Sequence, residues 1–245
     1  MAILWLKLAL LVRLGGSFTI RYCSYKNQPS FLFKLYSTAI QFEDPELAVF
    51  KGKNIIIDNT NVNEYNTSVE QILNTRCVGF DLEYLPDYYA SIREISDRRK
   101  PSLVQICGDS TCLIYLIYKI GYIPLSLLNI LNNTNILKVS HGAPSDMLLL
   151  YRHFGTICTN FVDLLKICRE NKIHPTTLQN ATAHVLNLKL SKRQQCSNWE
   201  AKTLTTEQIA YASTDAWVTR QIYLQLSPSK VDKLFINSNG EIETA

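Results

Sequence analysis

From Cys77 to Tyr84 the chain reads Cys-Val-Gly-Phe-Asp-Leu-Glu-Tyr, an apolar and aromatic run carrying two acids two positions apart. Residues of this kind favour a strand, and on a strand positions i and i+2 share a face. Asp81 and Glu83 therefore project together from a segment whose other residues belong in a core. Near the other end, Tyr211-Ala-Ser-Thr-Asp215 lies in an amphipathic stretch. On a helix a spacing of four puts Tyr211 and Asp215 on one face. Between the two segments stands Asp146, two residues after Pro144. Four carboxylates without a His or Cys among them make an oxygen-only donor set, suited to Mg²⁺ or Mn²⁺. Sites of that kind serve attack of a metal-activated water on a phosphodiester.

The 245 residues, 47% of them hydrophobic, are enough for one α/β domain with its own core. The net charge of +4 is unevenly spread: residues 1–42 hold five basic residues and no acid. The remainder carries 20 basic against 21 acidic residues, about −1. That excludes a generally basic nucleic-acid binder, so attraction for phosphate has to come from local patches and bound cations. The seven cysteines are scattered without a C-x-x-C pair, which leaves neither a zinc site nor a disulfide framework legible.

Three regions are expected. Residues 1–42, acid-poor with Arg, Ser and Tyr, have the composition of a mitochondrial import segment, with a nuclear or cytoplasmic protein as the alternative. The apolar run from Ile3 to Val12 is too short and too interrupted for a confident membrane span. Residues 43–230 read as the catalytic domain and 231–245 as a polar tail, with the chain frayed from about residue 227.

Strands are expected at Lys53–Asp58, Cys77–Tyr84, Leu103–Cys107, Cys112–Leu116 and Ile136–Ser140. Helices are expected at Ser68–Leu73, Ser126–Leu131, Pro144–Phe154, Phe161–Arg169 and Thr177–Asn187. Thr205 with Gln208 forms a capping box that opens a last helix to about Leu226. Strands early and helices late point to an α/β mixed sheet flanked by helices.

On these residues the chain resembles the DEDD superfamily of 3′–5′ exonucleases, in the branch of ribonuclease D and the Werner syndrome-type exonuclease domain. Val78–Tyr84 is similar to the first motif and Leu103–Ile106 to the strand after it. Lys138-Val-Ser-His-Gly-Ala-Pro-Ser-Asp146 is similar to the second motif. Ser197-Asn-Trp199 followed by Leu204–Ala216 is similar to the third, with Tyr211 marking the tyrosine-containing subclass. The family commonly has Trp where Tyr84 stands, a change that keeps an aromatic surface.

The resemblance implies a ribonuclease H-like fold, a two-metal mechanism and release of nucleoside monophosphates from a single-stranded or frayed 3′ end, DNA or RNA. Asp81, Glu83 and Asp215 would hold the ion that carries the attacking water. Asp81 would bridge to a second ion, supported by Asp146, and Tyr211 would orient the water and help deprotonate it. Leu82, between the two acids, would lie near the terminal base. Lys192 and Arg193, ahead of Trp199, would meet the phosphate backbone of a single strand, with the Trp as aromatic partner. His141 is left out of the metal site. The protein is expected to act alone or through a recruiting partner. The contrary reading is a non-catalytic nucleic-acid-binding or scaffolding module on the same fold.

Overall fold

The computed structural model describes residues 8–14, 17–23, 44–64, 66–91 and 93–244. The rest of the proposed import segment, including Ile3–Lys7, lies outside the described residues. The chain divides into two units, residues 1–44 and 45–245. In the first, β1 (Leu8–Leu14) pairs antiparallel with β2 (Ser17–Cys23).

The second unit carries an eight-stranded mixed sheet, the ribonuclease H-like architecture that the motifs imply. Its strands are β3 (Lys53–Ile57), β4 (Cys77–Tyr84), β5 (Pro101–Cys107), β6 (Thr111–Leu116), β7 (Leu137–Ser140), β8 (Phe161–Asp163), β9 (Leu234–Ile236) and β10 (Ile242–Thr244). Their order across the sheet is β10-β9-β8-β7-β4-β5-β6-β3. β4 pairs antiparallel with β5 and parallel with β7, so it sits in the middle. The helices are α1 (Asn66–Leu73), α2 (Ile117–Ile120), α3 (Leu125–Leu131), α4 (Ala143–Phe154), α5 (Leu164–Glu170), α6 (Leu178–Ala181) and α7 (Thr206–Leu226).

The alternation along β4 sorts its residues by face. Val78, Phe80 and Leu82 enter a core with Val69 and Ile72 of α1, Leu127 of α3 and Met147 and Leu150 of α4. The odd-numbered residues face α7. A third layer packs there, with Ala212 and Ala216 against Leu103 and Cys107 of β5, and Val218 and Ile222 against Val162 and Leu164. β5 is buried along its whole length because both of its faces are covered.

Two expectations are corrected. Phe161–Asp163 is not the start of a helix but an inner strand of the sheet, paired in parallel with β7; the helix begins at Leu164. Three residues are too few for periodicity to separate strand from helix, and the partner strand decides. The polar tail is not frayed either. β9 pairs with β8, and β10 with β9, extending the sheet by two strands. Leu234 and Ile236 are buried, while the sequence around them shows only polarity. Among the described residues no helix is long and apolar enough to cross a membrane.

Candidate active site

The acidic residues reach one place through local rules that each segment obeys separately. β4 presents Asp81 and Glu83 on the face opposite Phe80 and Leu82, and a register shift against β5 between Glu83 and Tyr84 marks a bulge beside the second acid. On the same face, two residues before Asp81, is Gly79. A Cβ built there would lie 1.8 Å from the carbonyl oxygen of Ala216. Only a glycine lets α7 come down on the strand at this point. The residue before Ala216 is Asp215, so the close approach sets that carboxylate against the pair on β4.

Asp81, Glu83 and Asp215 each bring a carboxylate oxygen within 4.8 Å of the other two. Asp146 stands in the first turn of α4, outside this set of three, and its pKa is raised by burial first and then by the Asp81 charge. The start of α4 is held by Gly142, left-handed at φ 101°, whose N–H donates to Asp163 at 2.9 Å. Asp163 also caps α5 through Leu165 N–H, so one carboxylate couples two helix starts. Ser140 Oγ donates to Asp146 from the end of β7.

The electrostatics follow from burial. Asp81 is held well above the usual carboxylate range, by desolvation first and then by Asp215. Glu83 is raised in the same way, by burial and then by Asp81, Asp215 and Asp146. Asp146 is raised by burial and Asp81, with the Ser140 hydroxyl pulling it back. Burial pushes Asp215 up to about 7, against the opposing pull of the Tyr211 hydroxyl and the Lys192 charge. Burial and the neighbouring carboxylates push Tyr211 up, so in the metal-free protein its phenol stays protonated at neutral pH.

A cluster with so much unbalanced negative charge fits divalent cations. Asp215 Oδ1 is buried without a hydrogen-bond partner. So are both amide atoms of Gln105, which the β4–β5 register sets directly opposite Asp81. Buried polar atoms left unpaired are costly, and a bound ion with its water satisfies them. Asp81, Glu83 and Asp215 are the residues that would hold an ion, with Asp146 next to them. Such ions supply a nucleophilic water at neutral pH and neutralise charge on a phosphoryl group.

The third-motif residues form a frame under Tyr211. Gln208 closes the expected capping box with Thr205, and its Nε2 donates to Ser197 Oγ at 2.7 Å and to the Asn198 carbonyl at 3.0 Å. Trp199 is fully buried, its ring centroid 5.9 Å from that of Tyr211. Glu200 accepts from Ser102 Oγ at 2.7 Å and pairs with Arg93, so the charged stretch after β4 is pinned to this frame.

Two sequence expectations are corrected here. Trp199 offers no ring face to a base; it backs Tyr211 from inside the core. Leu82 is 7% exposed and packs in the core on the far side of β4 from the acids. The i, i+2 rule that joins Asp81 with Glu83 sends the residue between them the other way. Lys192 and Arg193 are exposed, and Lys192 is near enough to act on Asp215. His141 Nε2 is 2.7 Å from the Thr176 carbonyl and takes no part in the cluster.

Sequence reasoning assigned no role to Gln105 or Arg220. Gln105 had a signal, a lone amide inside an apolar strand. Arg220 had none. It is buried in α7, donates through Nε to the Cys77 carbonyl on β4 at 2.9 Å, and pairs with Asp109 of the β5–β6 turn at 2.6 Å. It fastens the helix to the strand beyond Gly79.

A family model described as "3'-5' exonuclease" matches residues 55–229. The chain belongs to that 3′–5′ exonuclease family. It is 33% identical over 154 residues to the mouse bifunctional 3'-5' exonuclease/ATP-dependent helicase WRN, covering 61% of this chain and 11% of that protein. It is 34% identical over 134 residues to human exonuclease 3'-5' domain-containing protein 2, covering 52% of this chain and 20% of that protein. The chain thus spans a fifth or less of these two relatives. The catalytic core of RRP6 from Trypanosoma brucei has the same fold, with a TM-score of 0.60 at 22% identity, over 86% of this chain and 57% of that one.

The Gly79 contact carries a prediction for this exonuclease domain. Gly79→Ala must move α7 or the strand, and is expected to cost roughly 1–3 kcal/mol, as overpacking does. It should also weaken metal binding, because Asp215 moves with the helix. Thermal melting with and without Mn²⁺ reads both effects. A variant with the wild-type melting temperature and the wild-type Mn²⁺ shift would show that the approach is not constrained.

Proposed function

We propose that the protein is a metal-dependent 3′–5′ exonuclease that hydrolyses the terminal phosphodiester of a single-stranded or frayed nucleic acid and releases nucleoside monophosphates. The observation that carries the reading is the convergence of Asp81, Glu83 and Asp215 within 4.8 Å on the scaffold of the exonuclease family. A non-catalytic module would have no need of carboxylates held so far above their ordinary pKa range.

In this reading Asp81, Glu83, Asp146 and Asp215 hold two Mg²⁺ or Mn²⁺ ions, and Tyr211 is a hydrogen-bond donor that orients the attacking water. The raised pKa of the phenol argues for donation rather than proton abstraction. Lys192 and Arg193 meet the backbone of the bound strand. Residues 43–230 are the catalytic domain, with the sheet completed by the strands that follow, acting alone or through a recruiting partner. The acid-free, basic composition of residues 1–42 supports mitochondrial import rather than nuclear or cytoplasmic residence.

The test uses 5′-labelled DNA and RNA oligonucleotides with Mn²⁺, Mg²⁺ or EDTA. The expected result is a ladder that shortens from the 3′ end and disappears with EDTA. An intact strand that is retained on a native gel would favour the binding module instead. A fluorescent fusion of residues 1–42 is expected at mitochondria; diffuse signal would end the import reading.

A further inference from the structure

A cavity of about 230 Å³ opens beside the acidic cluster, with Leu47 and Val49 on one wall, Leu190 and Arg193 on another, and Ala210 and Tyr211 of α7 as its floor. Asp215 stands at its edge. The first wall is fastened in place: Ala48 N–H donates to the Lys189 carbonyl at 2.9 Å, and Phe50 N–H donates to Thr214 Oγ1 of α7 at 3.1 Å. Leu47 is 55% exposed and Val49 39% exposed, so this tethered segment shows apolar side chains to the cavity and to solvent.

The dimensions and charges narrow the occupant. Sites that take a whole drug-sized ligand run to roughly 300–1,000 Å³. A smaller slot with aliphatic walls fits one flat ring system belonging to a longer molecule. The exposed Lys192 and Arg193 offer positive charge on one side, and Glu207 lines the other, where a phosphate would be repelled. A nucleotide can satisfy this pattern in one orientation, ring inward and phosphate toward the lysine and arginine.

We propose that this slot holds one nucleobase of the strand being degraded, with its sugar-phosphate turned toward Lys192 and Arg193. The proposal rests on the exonuclease reading and adds to it a contact with the base itself. Because the surface that the lining exposes is mostly aliphatic, the slot distinguishes a base from no base more than one base from another.

The experiment compares oligonucleotides with natural 3′ ends against strands that carry an abasic residue at the last, second or third position. The wild-type protein of 245 residues is set beside Val49→Trp, which fills the slot, and a Leu47→Ala, Val49→Ala double variant, which strips its wall. The readout is the ratio of kcat/KM for the natural strand to that for each abasic strand, which cancels any general loss of activity. The wild type is expected to prefer a base at one position by about tenfold, as burial of one ring between apolar walls implies. In both variants the ratio should fall toward one. Should one variant fail to fold, as thermal melting would reveal, the other still decides. An unchanged ratio, or a wild type indifferent to the abasic residue at all three positions, overturns the proposal; the groove then takes something other than nucleic acid, such as an apolar side chain of a protein. If no strand is shortened with either metal, the exonuclease reading itself has failed. The same ratio taken from dissociation constants, by fluorescence anisotropy of the labelled strands, then tests the slot independently.

Discussion

Asp81→Asn is expected to lower 3′-end hydrolysis by about a thousandfold or more while raising the melting temperature of the metal-free protein. The loss follows from position: Asp81 shares the cluster with Glu83 and Asp215, its charge acts on Glu83 and Asp146, and the Asp215 charge acts on it. An amide cannot supply the anionic oxygen that would bind and fix a cation, and several kcal/mol of transition-state stabilisation depend on that cation. The gain follows from the same position. Burial and Asp215 both penalise the ionised carboxylate. Removing that charge relieves a strain which the folded protein keeps for its chemistry, and a gain of about 1 kcal/mol would add roughly 2–4 °C in a domain of this size. Single-turnover hydrolysis and melting curves in EDTA measure the two effects. An active Asp81→Asn protein would dismantle the catalytic assignment, and an active but destabilised one would also dismantle the electrostatic account.

Divalent metal is expected to stabilise the protein, and to do so more strongly as pH rises from 5 to 8. The carboxylate of Asp215, ordinarily near 3.8, sits at about 7 in the folded protein, and Asp81, Glu83 and Asp146 are raised too. Across the window between those values the folded chain binds more protons than the unfolded one. Its stability is therefore highest below the unfolded pKa and falls as pH climbs through the folded one. Metal binding requires the deprotonated carboxylates, so cation and proton compete for the same oxygens. At pH 5 protons win and Mn²⁺ adds little. At pH 8 the cation replaces them, and at a hundred times its dissociation constant it would contribute about 2.7 kcal/mol. Melting temperatures in Mn²⁺ and in EDTA should diverge steadily across this range. Parallel curves would mean that the cluster does not titrate with metal.

The separate elements were legible because each follows a short-range rule. The alternation at Cys77–Tyr84 predicts both the strand and the shared face of its acids, and β4 is found with those bounds. The Thr205–Gln208 capping box and Pro144 predict the starts of α7 and α4. Where the rules were weak, the reading failed. Phe161–Asp163 offers three residues, and the strands at Leu234–Ile236 and Ile242–Thr244 sit in a polar stretch. Each becomes a strand because a neighbour supplies hydrogen bonds for its backbone. Trp199 looked like a surface for bases beside Lys192 and Arg193, and instead it is packed behind Tyr211.

Local spacing therefore decided which side chains share a face: Asp81 with Glu83, Tyr211 with Asp215, and Leu82 away from both. It also supplied the oxygen-only donor set. The distance between those faces was settled by tertiary packing alone, through the contact of Gly79 with Ala216, the bonds of Arg220 to the Cys77 carbonyl and to Asp109, and the coupling of two helix starts by Asp163. The slot beside Tyr211 likewise needs Leu47 and Val49 brought against a helix more than 150 residues later, as the Phe50–Thr214 bond 164 positions apart shows. Periodicity acts over a few residues, whereas closeness between distant segments is set by which side chains are small enough to let backbones meet and which polar groups must find a partner once water is gone.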